Sequence, residues 1–181
     1  MTSEIRTIRT PRGDFLFRPE RPEDERFLFE LFAAHNGAML RQAGWPAAMT
    51  EQLLEAQFRS QFATYRSMFP DAIYSIIGFE GEEVGRFIEQ DETDVVYFVD
   101  FLLAPRHQAR GLGPAITRAL MEEWAAHGRG TRVEVMINNA PCLKMCARLG
   151  FTQSEPDERG YVELRWYPPH LKPDAKPDAD R

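Results

Sequence analysis

The sequence predicts a mixed α/β sandwich around a central sheet. Three observations predict it. Strand-like and helix-like segments follow in the order strand, two helices, three strands, helix, strand, helix and one or two strands. The composition, 43% hydrophobic and 28% charged over 181 residues, is that of one globular domain large enough to bury a core. A glycine-punctuated junction, "RHQARGLGPAITRALMEEW" at 106–124, joins a β-rich run directly to an amphipathic helix.

The elements follow in order. "DFLF" from Asp14 reads as a short strand. A helix follows, with Pro22 in its first turn and Glu23, Asp24 and Glu25 placed to suit its dipole. Phe27, Leu28, Leu31 and Phe32 form its apolar face, and Asn36-Gly37 reads as its stop. "AMLRQAGWP" reads as a loop. Thr50 is placed to cap a second helix, in which Leu54, Phe58, Phe62, Tyr65 and Phe69 recur every three or four residues. "AIYSIIGF" and "EVGRFIEQ" read as a hairpin around Gly81, and "VVYFVDFLLA", 95–104, as a longer strand broken by one acid, Asp100. After the junction helix, "TRVEVMI" reads as a strand, "APCLKMCARL" as a helix closed by Gly150, and "GYVELRWY" as a last strand. Residues 1–13 read as an N-terminal extension and 14–170 as the folded domain. Residues 171–181, with "KPDA" twice and no large apolar residue beyond Leu171, read as a disordered tail.

Charge narrows the function classes. The net charge of −6 argues against nucleic acid as a partner. Between Phe101 and Gly150, however, seven basic residues face three acidic ones, a local +4 that leaves −10 for the remainder. A small anionic ligand fits this distribution better than a polyanion. No apolar run approaches the ~20 residues that span a bilayer, and the N-terminus lacks an apolar signal core, so a cytoplasmic protein is expected. Cys142 and Cys146 give no disulfide framework and form no metal-ligand spacing with the four histidines, so no metal is expected.

The junction explains where an anion would go. A helix N-terminus presents unpaired N–H groups and partial positive charge. Glycine lets backbone approach a phosphate without a Cβ in the way. Gly111 and Gly113 meet that need, Pro114 suits the first helical position, and Arg106 and Arg110 add charge. A dinucleotide-binding turn would need a third glycine where Ile116 stands, and a P-loop would need Gly-Lys-Ser/Thr.

"QARGLG", 108–113, resembles the Q/R-x-x-G-x-G/A signature of the GNAT superfamily of acetyl-CoA-dependent N-acetyltransferases. "VDFLLAP" resembles that family's fourth strand. "NAPCLKMCARLGF", 139–151, resembles its N-x-x-A-x-x-x-Y-x-x-x-G-F signature, with Asn139, Gly150 and Phe151 matching in place. The element order fits over residues 14–167, and 58–87 resemble one bacterial branch. The resemblance implies a mixed sheet of six to seven strands flanked by about four helices. It implies acetyl-CoA as co-substrate, its pyrophosphate on the backbone of Gln108, Ala109, Arg110, Gly111, Leu112, Gly113, Pro114 and Ala115. Its pantetheine would pair with backbone near Leu102, Leu103 and Ala104 and with Asn139. The amine would attack the thioester directly, with the Leu103 N–H at the oxyanion. Asp100 stands where an acid often lies on the fourth strand, either as base or as a structural carboxylate. Tyr97 stands where some relatives carry a glutamate base, and Glu134 is a third candidate. Asn139 has a helix cap as its alternative role. Two departures stand out. Pro114 lacks an N–H, and Cys146 replaces the tyrosine that reprotonates the leaving thiolate, with Cys142 one turn earlier. Either cysteine also fits a buried thiol on one helix face. The expected partners are acetyl-CoA and an unidentified primary amine, with no nucleic acid and no membrane; a homodimer stays open. The alternatives are a GNAT-fold acyl-CoA-binding or regulatory protein, and an anion-binding module.

Overall fold

The computed structural model describes residues 4–42 and 44–171. Its centre is one eight-stranded sheet with strand order β1-β2-β3-β4-β5-β6-β8-β7. The strands are β1 (Arg6–Thr10), β2 (Gly13–Pro19), β3 (Ile73–Phe79), β4 (Glu82–Asp91), β5 (Val95–Leu103), β6 (Gly130–Met136), β7 (Thr152–Gln153) and β8 (Tyr161–Trp166). The helices are α1 (Glu25–Gln42), α2 (Ala47–Met68), α3 (Leu112–Ala126) and α4 (Ala140–Leu149). Four helices were expected, and the sheet exceeds the expected six to seven strands by an edge strand and the two-residue β7. Residues 6–10, read as extension, form β1, whose single apolar residue Ile8 is buried. The tail from 172 lies outside the described residues.

Two sequence readings are corrected. Asn36-Gly37 does not stop α1, which runs on to Gln42. The Asn36 side-chain amide donates to Phe32 O at 3.0 Å, and Leu40 packs into the α1–α2 core, so tertiary contact overrides the stop signal. Thr50 is not the cap of α2; Pro46 holds that place, and Thr50 sits buried in the first turn.

The sheet separates two apolar layers. On one face Ile8, Phe15, Phe17, Phe87, Phe98 and Leu103 pack against Leu112, Ile116, Leu120 and Trp124 of α3. On the other face α1 and α2 cover Ile76 through Leu28, Phe32, Leu54 and Phe58, and Tyr65 and Phe69 cover Tyr74 and Ile88. A third cluster joins α4 to β6 and β8 through Val135, Cys146, Leu149, Phe151, Val162 and Leu164.

All strand pairs are antiparallel except β5–β6. That parallel pairing runs only from Val95↔Gly130 to Phe98↔Val133. Beyond it the strands part, leaving Val99–Leu103 of β5 without a strand partner on that side among the described residues.

Candidate active site

The parting of β5 and β6 starts at a β-bulge. Opposite β4, Phe98 pairs with Glu89 and Asp100 with Ile88, so Val99 is the extra residue. A bulge turns two successive side chains to one face. Val99 and Asp100 both lie on the α2 face, and Phe101 and Leu103 return to the α3 face. Without the bulge, strand alternation would aim Asp100 into the α3 core.

On the α2 face Asp100 meets Arg86 of β4, a residue that sequence reasoning passed over. Arg86 Nε and Nη2 both donate to Asp100 Oδ2, the former at 2.9 Å. Oδ1 has no partner among the described residues, and the side chain is 15% exposed, so one oxygen stays open. Arg86 is itself buried, with its guanidinium 5.7 Å from the Tyr65 ring centre. An arginine in the run "EVGRFI" was the available signal, because a buried cation needs a partner.

Tyr97 lies on the same face under the Arg132 guanidinium, 3.6 Å from the ring centre. Burial, then the Glu134 charge, pushes its phenol up to about 12. Glu134 is half-buried and paired with Arg132 at 3.2 Å, whose other nitrogens grip Glu92. These charges form a closed network beside the opening.

The backbone of β5 supplies the other half of the site. The Ala104 N–H donates to Val84 O at 2.8 Å. Antiparallel partners alternate between bonded and non-bonded pairs. Leu102 therefore bonds across to Arg86, while Phe101 and Leu103 turn their N–H and C=O groups toward the opening. Of the three expected pantetheine contacts, the backbone N–H of Leu102 and of Ala104 are thus engaged within the sheet, and Leu103 faces the gap. Its carbonyl accepts from Gln108 Nε2 at 2.6 Å, which ties the loop to the strand.

The loop at α3 shows where N–H groups are left over. Gly111 is the N-cap, at φ 76°, and Leu112 the first helical residue, which moves Pro114 to the third position. The Gln108 N–H donates to Pro105 O at 3.1 Å and the Ala115 N–H to Gly111 O at 3.3 Å, and Pro114 has none. Those three residues of the expected set therefore bring no free backbone donor. Ala109, Arg110, Gly111, Leu112 and Gly113 have N–H groups without a partner among the described residues. Ala109 has a positive φ of 56°, which bends the loop so that successive N–H groups converge. Beside it a cleft of about 300 Å³ is lined by Phe79, Glu80, Glu82, Arg106, His107 and Arg110. His107 is buried there between Arg106 Nε at 3.0 Å and Arg110 Nη1 at 3.4 Å. Burial, with the two arginines, pushes its pKa down and keeps the ring a neutral acceptor.

On α4 the structural alternatives left open by the sequence are seen. Asn139 caps α4, its Oδ1 accepting from the Cys142 N–H at 3.3 Å. Cys146 is 2% exposed within the α4–β6–β8 core. Its hydrogen bond with Cys142, together with burial, pushes its thiol up. Among the described residues no cluster of His, Cys, Asp or Glu could hold a metal, and no helix is long and apolar enough to cross a membrane.

Known proteins share this fold. The FR47-like protein family matches residues 77–160, which carry β4, β5, the loop and α3–α4. No curated protein sequence matches the chain. Among solved structures, RimL, the ribosomal L7/L12 alpha-N-protein acetyltransferase in complex with coenzyme A, superposes with TM-score 0.60 at 16% identity, over 91% of this chain and 98% of that one. PaiA N-acetyltransferase from Thermoplasma acidophilum, also with coenzyme A, gives 0.60 at 13% identity, over 84% and 98%. RimJ from Mycobacterium smegmatis with a CoA-disulfide gives 0.60 at 15% identity, over 93% and 89%. The chain thus shares the fold of these acetyltransferases over most of its length, and residues 77–160, which carry the signature loop, match the FR47-like family.

Proposed function

We propose that the protein transfers the acetyl group of acetyl-CoA to a primary amine by direct attack within a ternary complex. The observation that carries this reading is the gap beside β5, where the backbone groups of Phe101 and Leu103 face the parting from β6 next to five unpartnered N–H groups at α3. An extended pantetheine arm fits the free side of β5 as an added strand, and the pyrophosphate fits the N–H groups of 109–113. Coenzyme A in the RimL and PaiA structures supports it.

In this reading the Leu103 N–H donates to the thioester oxygen as negative charge develops there, a contribution of ~3 kcal/mol for one well-placed donor. Asp100 Oδ1 takes the amine proton directly or through one water, with Arg86 holding the carboxylate in place. The thiolate leaves and takes its proton from solvent, since the Cys146 thiol is buried with a raised pKa. Tyr65, Phe69 and Tyr97 line the acceptor side, where a small-molecule amine or a protein N-terminus would enter.

A second reading, a CoA-binding protein of this fold with little catalysis, draws on the burial of Cys146 where the family places its tyrosine. Free-thiol release from acetyl-CoA over a panel of amines, amino acids and N-terminal peptides separates the two. Amine-dependent release supports the transferase. Calorimetric binding of acetyl-CoA with no release across the panel supports the binder.

A further inference from the structure

We propose that the Arg12 guanidinium, carried on the turn between β1 and β2, is a ligand of the CoA pyrophosphate. The donor this site takes is then a nucleotide-bearing thioester, and a pantetheine thioester without the nucleotide lacks that contact. The proposal rests on the reading that the 109–113 loop holds the phosphates of CoA.

Four observations carry it. A Cβ built on Gly111 would lie 3.4 Å from Arg12 Nη2 and 3.7 Å from its Cζ and Nε, so the guanidinium lies across the N-cap of α3. No carboxylate pairs with Arg12 among the described residues. The two arginines that flank the loop are engaged, Arg106 with Glu82 at 3.2 Å and Arg110 with His107. The turn that carries Arg12 is itself held. Its N–H donates to Thr10 Oγ1 at 3.0 Å, which donates to Gly13 O at 2.9 Å, and β1 is anchored on α3 by Ile8 and by Arg6, 3.1 Å from Glu123.

The electrostatics give this placement a direction. The N-terminus of the fifteen-residue α3 carries partial positive charge, so an unpaired cation beside it is repelled until an anion lies between them. A pyrophosphate supplies that anion. Its oxygens would take the N–H groups from the loop on one side and a charge-assisted bond from Arg12 on the other. The N-terminal hairpin, outside the 77–160 segment that matches the FR47-like family, thereby becomes part of the cofactor site.

Calorimetric titration of CoA into wild type, Arg12→Ala and Arg12→Lys tests this, with pantetheine as a probe that lacks the phosphates. Arg12 is exposed on a turn, so Arg12→Ala keeps the fold, checked by an unchanged melting temperature. Arg12→Ala is expected to bind CoA about tenfold more weakly, the effect of one charged hydrogen bond. Its affinity should also depend less steeply on salt, with Arg12→Lys between the two. Arg12→Ala with wild-type affinity and salt dependence overturns the proposal. So does an equal loss for CoA and pantetheine, which would mark a structural effect. A folded wild type that binds no CoA overturns the reading beneath it as well.

Discussion

Asp100 shows how one side chain comes to have one engaged and one open oxygen. Arg86 takes Oδ2 with two nitrogens, the bulge at Val99 puts the side chain on the α2 face, and Oδ1 has no partner among the described residues. Asp100→Asn should lower kcat on the order of 10²-fold, the size of a general-base contribution, and leave acetyl-CoA affinity unchanged. It should also lower stability by about 3 kcal/mol, because a buried Arg86 loses its counter-charge. Native turnover in the variant would reduce Asp100 to a partner for Arg86. Cys146→Ala should do the reverse. Its sulfur fills the α4 core, so the change should cost about 1 kcal/mol of stability with turnover nearly kept; abolished turnover in a folded variant would make the thiol an obligatory acid. Gly111→Glu should abolish CoA binding. A side chain is strained at φ 76°, and the carboxylate would lie beside Arg12 and the loop N–H groups, where the phosphate belongs. Unchanged affinity in a folded variant, read by calorimetry, would remove the loop from the cofactor site.

At the scale of elements, the segments that could be read from sequence are those whose signals are local. Gly111, Gly113 and Gly150 mark the ends of α3 and α4, and the apolar run 95–103 marks β5. β1 escaped because "RTIRT" offers one buried residue to an edge strand. The end of α1 escaped because Leu40 gains its partners from α2, far along the chain. The pairing of Arg86 with Asp100 depends on a one-residue bulge, and alternation alone places Asp100 on the wrong face. Arg12 reaches Gly111 across ninety-nine positions of sequence, a contact with no local signature. The way β1 is tied down also has a pH signature. Arg6 pairs with Glu89 of β4 at 2.8 Å, yet burial outweighs that pairing and pushes Glu89 up to about 6 from 4.5. An acid with a raised folded-state pKa favours folding below its unfolded value and loses that contribution as pH rises through the folded one. Glu89 should therefore withdraw on the order of 2 kcal/mol of stability between about pH 4.5 and 7. Denaturation midpoints across that range should fall less in Glu89→Gln than in wild type; parallel profiles would show that Glu89 ionises freely.

For the whole molecule, the sheet divides the work between its faces. The α3 face and the loop at its N-terminus present backbone N–H groups and arginines, which the proposed function assigns to an anionic donor. The α2 face presents Asp100, Arg86 and a set of aromatic rings, which the proposed function assigns to the amine. β5 and β6 part beyond Phe98↔Val133, and under the proposed function the thioester carbon lies in that gap. A crystal structure of the protein with acetyl-CoA tests this most directly. The account predicts the pantetheine arm along the free side of β5, the Leu103 N–H within ~3 Å of the thioester oxygen, and the pyrophosphate on the N–H groups of 109–113. Acetyl-CoA bound elsewhere, or lying in the gap with its thioester turned away from Leu103, would contradict it.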